Sequence, residues 1–147
     1  MIDGVAIKEL IAHKDERGFF AEIIRSSDEF FKGRFGQLSH SMSQAGVFKA
    51  WHMHAKQTDW MYASSGDMKL ALYDTRKNSK TYGKLMEILM GEKHGRKVVR
   101  IPPGVAHGYK VINAPLYVIY VMDKEYDPKD ELRIPYDDPA IGYNWLS

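Results

Sequence analysis

Turn-forming residues punctuate this chain about every eight to twelve residues, and the stretches between them carry aromatic and β-branched side chains. That spacing belongs to an all-β sandwich or barrel. The punctuation includes Ser65-Gly66-Asp67, residues 76–79 and 91–95, Pro102-Pro103-Gly104 and Asn113-Ala114-Pro115. Strands are expected over 19–25, 37–43, 47–54, 60–63, 68–73, 84–89, 97–101, 108–112 and 116–122. Ser26, with Glu29 in capping-box register ahead of Phe30 and Phe31, predicts one short helix of about two turns. Beyond Tyr126, Asp-Pro and Pro-Tyr-Asp-Asp-Pro segments cannot hold long ladders, so residues 127–147 should run as an irregular strap over the barrel.

A chain of 147 residues matches the length of one domain, here 1–147, and buries roughly 70% of its unfolded surface. With 44% hydrophobic and 27% charged residues, a net charge of +2 and no block of like charges, neither disorder nor nucleic-acid binding is expected. No apolar run approaches the roughly 20 residues of a membrane span. Asp3, Lys8 and Glu9 break up the first ten residues, which do not read as a secretory signal. The absence of cysteine excludes disulfides, thiolate zinc sites and cysteine nucleophiles, and a cytoplasmic setting is expected.

Three of the six histidines form a pattern. His52 and His54 lie two residues apart on an expected strand, so both imidazoles leave one face while Trp51 and Met53 occupy the other. An apolar layer backing a titratable one suits the wall of a barrel with a ligand cavity. The turn Pro102-Pro103-Gly104 then feeds His107 into a following strand. For His54 three readings stay open: a metal ligand, a cavity wall, or simply the second inward position of the strand.

In order, Gly46, His52-Met53-His54, Asp59 and Gly66, followed by Pro102-Pro103-Gly104 and His107, resemble the paired motifs of the cupin superfamily. Asp59 stands where that pattern carries glutamate. The resemblance implies a cupin jelly-roll, two antiparallel sheets curled into a small barrel. Further segments, among them Asp15 to Phe20, Lys49-Ala50-Trp51-His52, Tyr73-Asp74 with Arg76, Tyr126-Asp127-Pro128 and Asp138 to Trp145, resemble the dTDP-4-dehydrorhamnose 3,5-epimerase family. This similarity runs from about residue 12 to the C-terminus.

The family resemblance implies an epimerase or isomerase of a dTDP-linked 4-keto-6-deoxy sugar, a homodimer exchanging N-terminal strands, with no cofactor. It implies His52 as base, Tyr120 as acid and His107 as a substrate contact, with Arg17 and Lys49 at the diphosphate. Glu22, Gln37 and Tyr126 fall at other substrate-pocket positions. Lysine at position 49 keeps the charge but lacks the fork of the usual arginine. Family members generally continue past the Gly-Ile-x-Trp segment to an aspartate that orients the base, whereas this sequence ends at Ser147. Asp59 also replaces the family's enolate-stabilising lysine; it would repel an enolate unless it is protonated, pairs with Lys56, or orients His52. Two other readings compete. In one, His52, His54, Asp59 and His107 bind a divalent metal such as iron, manganese, zinc or nickel; in the other, the chain is a catalytically silent sugar-nucleotide binding module.

Overall fold

A computed structural model describes residues 1–147 and contains ten strands and no helix. In chain order they are β1 (Ala6–Glu9), β2 (His13–Asp15), β3 (Gly18–Phe20), β4 (Gln37–Ser43), β5 (Phe48–His54), β6 (Asp59–Asp74), β7 (Leu85–Gly91), β8 (Lys97–Ile101), β9 (Val105–Met122) and β10 (Glu131–Arg133). No helix is long and apolar enough to cross a membrane.

β6 and β9 organise the rest, running antiparallel from the Asp59–Met122 pair to the Asp74–Val105 pair. The sequence divides each into two strands, at Ser65-Gly66-Asp67 and at Asn113-Ala114-Pro115. The chain instead passes through both places as strand, with register shifts between Ala63 and Met68. Residues that make turns also make bulges, because both demand unusual backbone angles or a missing donor. Gly66 has a φ of +77°, and a Cβ there would sit 2.5 Å from the carbonyl oxygens of Asn113 and Pro115. Only glycine lets the two bent strands stay this close.

The bend gives each long strand two sets of partners. The first part of β6 pairs with β8, which carries β1, and its second part pairs with β7. β9 pairs with β5 through its first part and with β4 through its last, and β10 closes the edge beyond β5. One eight-stranded sheet thereby doubles into two facing layers, the jelly-roll arrangement. Between them lies the main core, built from alternate residues such as Met61, Met68, Leu70, Leu72, Val105, Val111 and Val118. Truncating one of these, such as Leu70 to alanine, costs about 2–5 kcal/mol.

Three expectations need correction. Residues 26–34 form turns rather than a helix: Phe31 and Lys32 N–H both donate to the Asp28 carbonyl, and the left-handed Lys32 and Gly33 end the run after one turn. The side chain that ties this turn down is Asp28, which reaches back to accept the Arg25 N–H at 2.8 Å and pairs with Lys8 at 2.6 Å. The strand expected over 19–25 is limited to β3, which pairs only with β2 in a separate two-stranded sheet. Finally, the strap is irregular except for β10, whose pairing with β5 is framed by two Trp51–Ile134 backbone bonds of 3.1 Å. The N-terminal strand β1 finds its partner, β8, within the same chain.

Candidate active site

The alternation of β5 decides which side chains meet. Trp51 points into a cluster with Ala71, Ala106 and Trp145, while His52 and His54 line a cavity of about 260 Å³ on the other side. β9 brings His107 directly opposite His52, and its tight approach depends on the next residue: a Cβ at Gly108 would lie 2.6 Å from the Ala50 Cβ. The His52 and His107 ring centroids are 6.4 Å apart. Further along β9, Tyr120 enters the same cavity, its hydroxyl 3.0 Å from the Ser41 hydroxyl of β4.

Polar groups crowd the floor. Asp59, buried at the start of β6, accepts from the Gln57 side-chain amide at 2.6 Å and faces His54 Nε2 at 3.7 Å and His107 Nε2 at 3.6 Å. His107 Nδ1 lies 3.1 Å from the Val105 carbonyl, which selects the tautomer with hydrogen on Nδ1 and leaves Nε2 toward Asp59. Asp59 therefore engages neither Lys56 nor His52, the two partners the sequence offers it. Asp130 accepts the backbone N–H groups of Ala55, Lys56 and Gln57 at 2.9–3.0 Å, fixing the loop that carries Gln57 into the floor.

These surroundings set protonation. Burial lowers the pKa of His52, with Arg133 adding to the effect and Glu131 opposing it. His107 is likewise held neutral by burial, against the pull of Asp59. Burial drives the Tyr120 phenol far above its ordinary value, so it stays protonated at any physiological pH.

At the cavity mouth stand exposed Lys49 and Tyr126. Gln37 holds the mouth from behind, its side-chain carbonyl accepting the Tyr126 N–H at 2.8 Å. Arg17 and Glu22 are elsewhere: Arg17 is tied to Asp15 on the exposed β2–β3 hairpin, and Glu22 pairs with Arg25. The four side chains of the metal reading do not form a ligand set, and no group of three or more such side chains has metal-binding geometry. His52 faces Glu131 instead, at 3.6 Å from Nδ1. Glu131 and Gln57, along with Met61, Tyr109 and Met122, are cavity residues the sequence reading missed. The alternation Glu131-Leu132-Arg133 after an Asp-Pro turn is too short to mark a strand in a segment otherwise too broken to pair.

Comparison with known proteins agrees with this geometry. The family model described as dTDP-4-dehydrorhamnose 3,5-epimerase matches residues 1–147. The spore coat polysaccharide biosynthesis protein SpsL of Bacillus subtilis is 48% identical over 147 residues, covering 99% of this chain and 97% of that protein. Among solved structures, a dTDP sugar isomerase from Desulfovibrio desulfuricans superposes with a TM-score of 0.91 at 28% identity, covering 98% of this chain and 92% of its own. An epimerase from Legionella pneumophila, solved with dTDP-4-keto-L-rhamnose, gives 0.87 at 29% identity, with 99% and 80% covered. A jelly-roll cavity holding a histidine and a protonated tyrosine, together with a family match over the whole sequence, shows that the chain belongs to the dTDP-4-dehydrorhamnose 3,5-epimerase family.

Proposed function

We propose that this chain inverts a carbon next to the ketone of a dTDP-linked 4-keto-6-deoxy sugar, with His52 as base and Tyr120 as acid. Its family and the ligand of the Legionella relative support that substrate class. One observation carries the assignment of roles: a single cavity holds an imidazole kept neutral and a phenol kept protonated. Groups of opposite readiness are what removal and return of a proton require.

In this reading His52 Nε2 takes the proton from carbon, and the C–H electron pair becomes the enolate. The Tyr120 hydroxyl then protonates the same carbon from the other face, the ketone re-forms, and solvent returns a proton to Tyr120 as His52 loses one. Only protons move, so no cofactor is called for. Buried Asp59 and neutral His107 form the floor beneath the sugar. Lys49 and Tyr126 meet the nucleotide end, with Gln37 setting the position of Tyr126.

Arg17 and Glu22 join a cavity only from a neighbouring copy. The β2–β3 hairpin is exposed along its whole length, including Arg17, Phe19 and Phe20, which supports a homodimer in which one chain's hairpin completes the other's site. The 147 residues work as one domain, and a nucleotide-sugar substrate with a cysteine-free chain supports a cytoplasmic location. The test is incubation with dTDP-4-keto-6-deoxyglucose in deuterated water, read by NMR. Deuterium at C3, C5 or both, lost in His52→Ala, is expected; no exchange at either carbon overturns the reading.

A further inference from the structure

We propose that Glu131 is the positioning carboxylate of His52: it fixes the Nδ1–H tautomer, leaves Nε2 free for the substrate and stabilises the imidazolium formed on proton transfer. This deepens the reading of His52 as base and rests on it.

The pairing of β10 with β5 places Glu131 opposite His54 and Arg133 opposite His52. Residues opposite one another on antiparallel strands share a face, so the two histidines and the two charged residues of β10 all sit on the cavity side. Glu131 then reaches diagonally to His52, with Oε1 3.6 Å from Nδ1. Its other oxygen accepts from the Tyr126 hydroxyl at 3.0 Å, and Arg133 donates to Oε1 at 3.1 Å. A carboxylate gripped on both oxygens is aimed rather than free. Contacts to a catalytic base are commonly long before substrate binds, and a closure of about half an ångström makes this one a hydrogen bond.

The other carboxylates near the site are committed. Asp59 serves Gln57 and the floor histidines, while Asp130 holds three backbone N–H groups. Glu131 is the only carboxylate in ion-pair contact with His52. Although burial pushes the Glu131 carboxyl up, the bonds from Tyr126 and Arg133 outweigh it and keep the group ionised. His52 thus faces Glu131 and Arg133 from β10, His54 along its own strand and His107 from β9; Glu131 favours its charged form, while Arg133 and, more weakly, His54 oppose it.

The test measures kcat and KM against pH for the full chain with dTDP-4-keto-6-deoxyglucose, together with an NMR titration of the His52 imidazole. Glu131→Gln is expected to lower kcat on the order of 10²-fold with KM little changed. It should also move the acid limb of kcat/KM, and the His52 titration, to lower pH. Arg133→Gln should move both the other way, and Glu131→Asp should recover part of the loss. A merely structural Glu131 would shift neither limb nor titration. If Glu131→Gln raises KM alone, or leaves the His52 titration in place, the proposal is overturned while the base assignment stands. If His52→Ala keeps its turnover, both fall together.

Discussion

The strand β6 begins and ends on a buried aspartate, and the two could hardly be treated more differently. Asp74, at its end, is fully sealed and accepts from the Arg76 guanidinium, the Arg76 backbone N–H and the hydroxyls of Ser79 and Thr81, at 2.6–3.0 Å. Asp59, at its start, has one firm donor, Gln57, and two imidazoles held at 3.6–3.7 Å. A carboxylate that only holds the fold together has its hydrogen-bonding capacity filled, because any shortfall in a dry interior costs free energy. One that faces substrate keeps capacity in reserve. A related contrast separates Asp130, whose donors are all backbone N–H groups, from Glu131 beside it, whose donors are side chains at the cavity.

The contrast can be attacked by experiment. His52→Ala should have the largest effect, reducing kcat/KM on the order of 10³-fold or more with the fold intact, as followed by product NMR and circular dichroism. Asp74→Asn should leave Arg76 without its buried partner and cost about 3–5 kcal/mol. Calorimetry should register that as a melting temperature lower by roughly 10 °C, with folded protein still active. Asp59→Asn should do the reverse, losing on the order of 10²-fold in turnover while melting within a few degrees of the parent. Equal loss of stability in the two asparagine variants would break the comparison.

A smaller effect concerns acid stability. The donors around Asp74 outweigh burial and hold its carboxyl well below the usual carboxylate range. Its contribution is therefore complete above the unfolded value of about 3.9 and is lost only as pH falls through the lower folded value. The stability gap between parent and Asp74→Asn, measured by urea unfolding, should stay constant above about pH 5 and narrow below about pH 4. Smallest of all, Lys49→Met should raise KM several-fold and leave kcat nearly unchanged, because an exposed lysine at the mouth contributes only about 1 kcal/mol.

Much of this architecture is legible in the sequence. The limits of β4 and β8 coincide with the expected strands, and the facing of His52 and His54 follows from a period of two. What was hidden is instructive. Gly66 and Pro115 look like turn residues, and nothing local distinguishes a bulge in a continuing strand from a turn between two. The helix expected at Ser26 failed because the Asp28 side chain is spent backwards on the Arg25 N–H and on Lys8, and left-handed Lys32 and Gly33 close the run after one turn. Arg17 and Glu22 bind their own neighbours, Asp15 and Arg25, a local pairing that motif position does not reveal. Glu131 was illegible because its role depends on which strand it pairs with, and a three-residue strand carries almost no periodic signal.

Glu131 rides on the strap and Tyr126 stands at its root; the strap's only strand pairing with the sheet is β10, and its far end is pinned by buried Trp145. β6 and β9 are locked to each other over their full length; the strap is joined to the sheet along one edge, through β10, Asp130 and Trp145. Its opening free energy should lie below that of global unfolding, and its amides should exchange with solvent before those of the central strands. The fraction of molecules with a complete catalytic wall is then the fraction whose strap is docked, and an apparent substrate affinity contains that docking equilibrium as a factor. A sugar nucleotide that touches Tyr126 would select the docked population, so binding would slow amide exchange in a segment far in sequence from the histidines it serves.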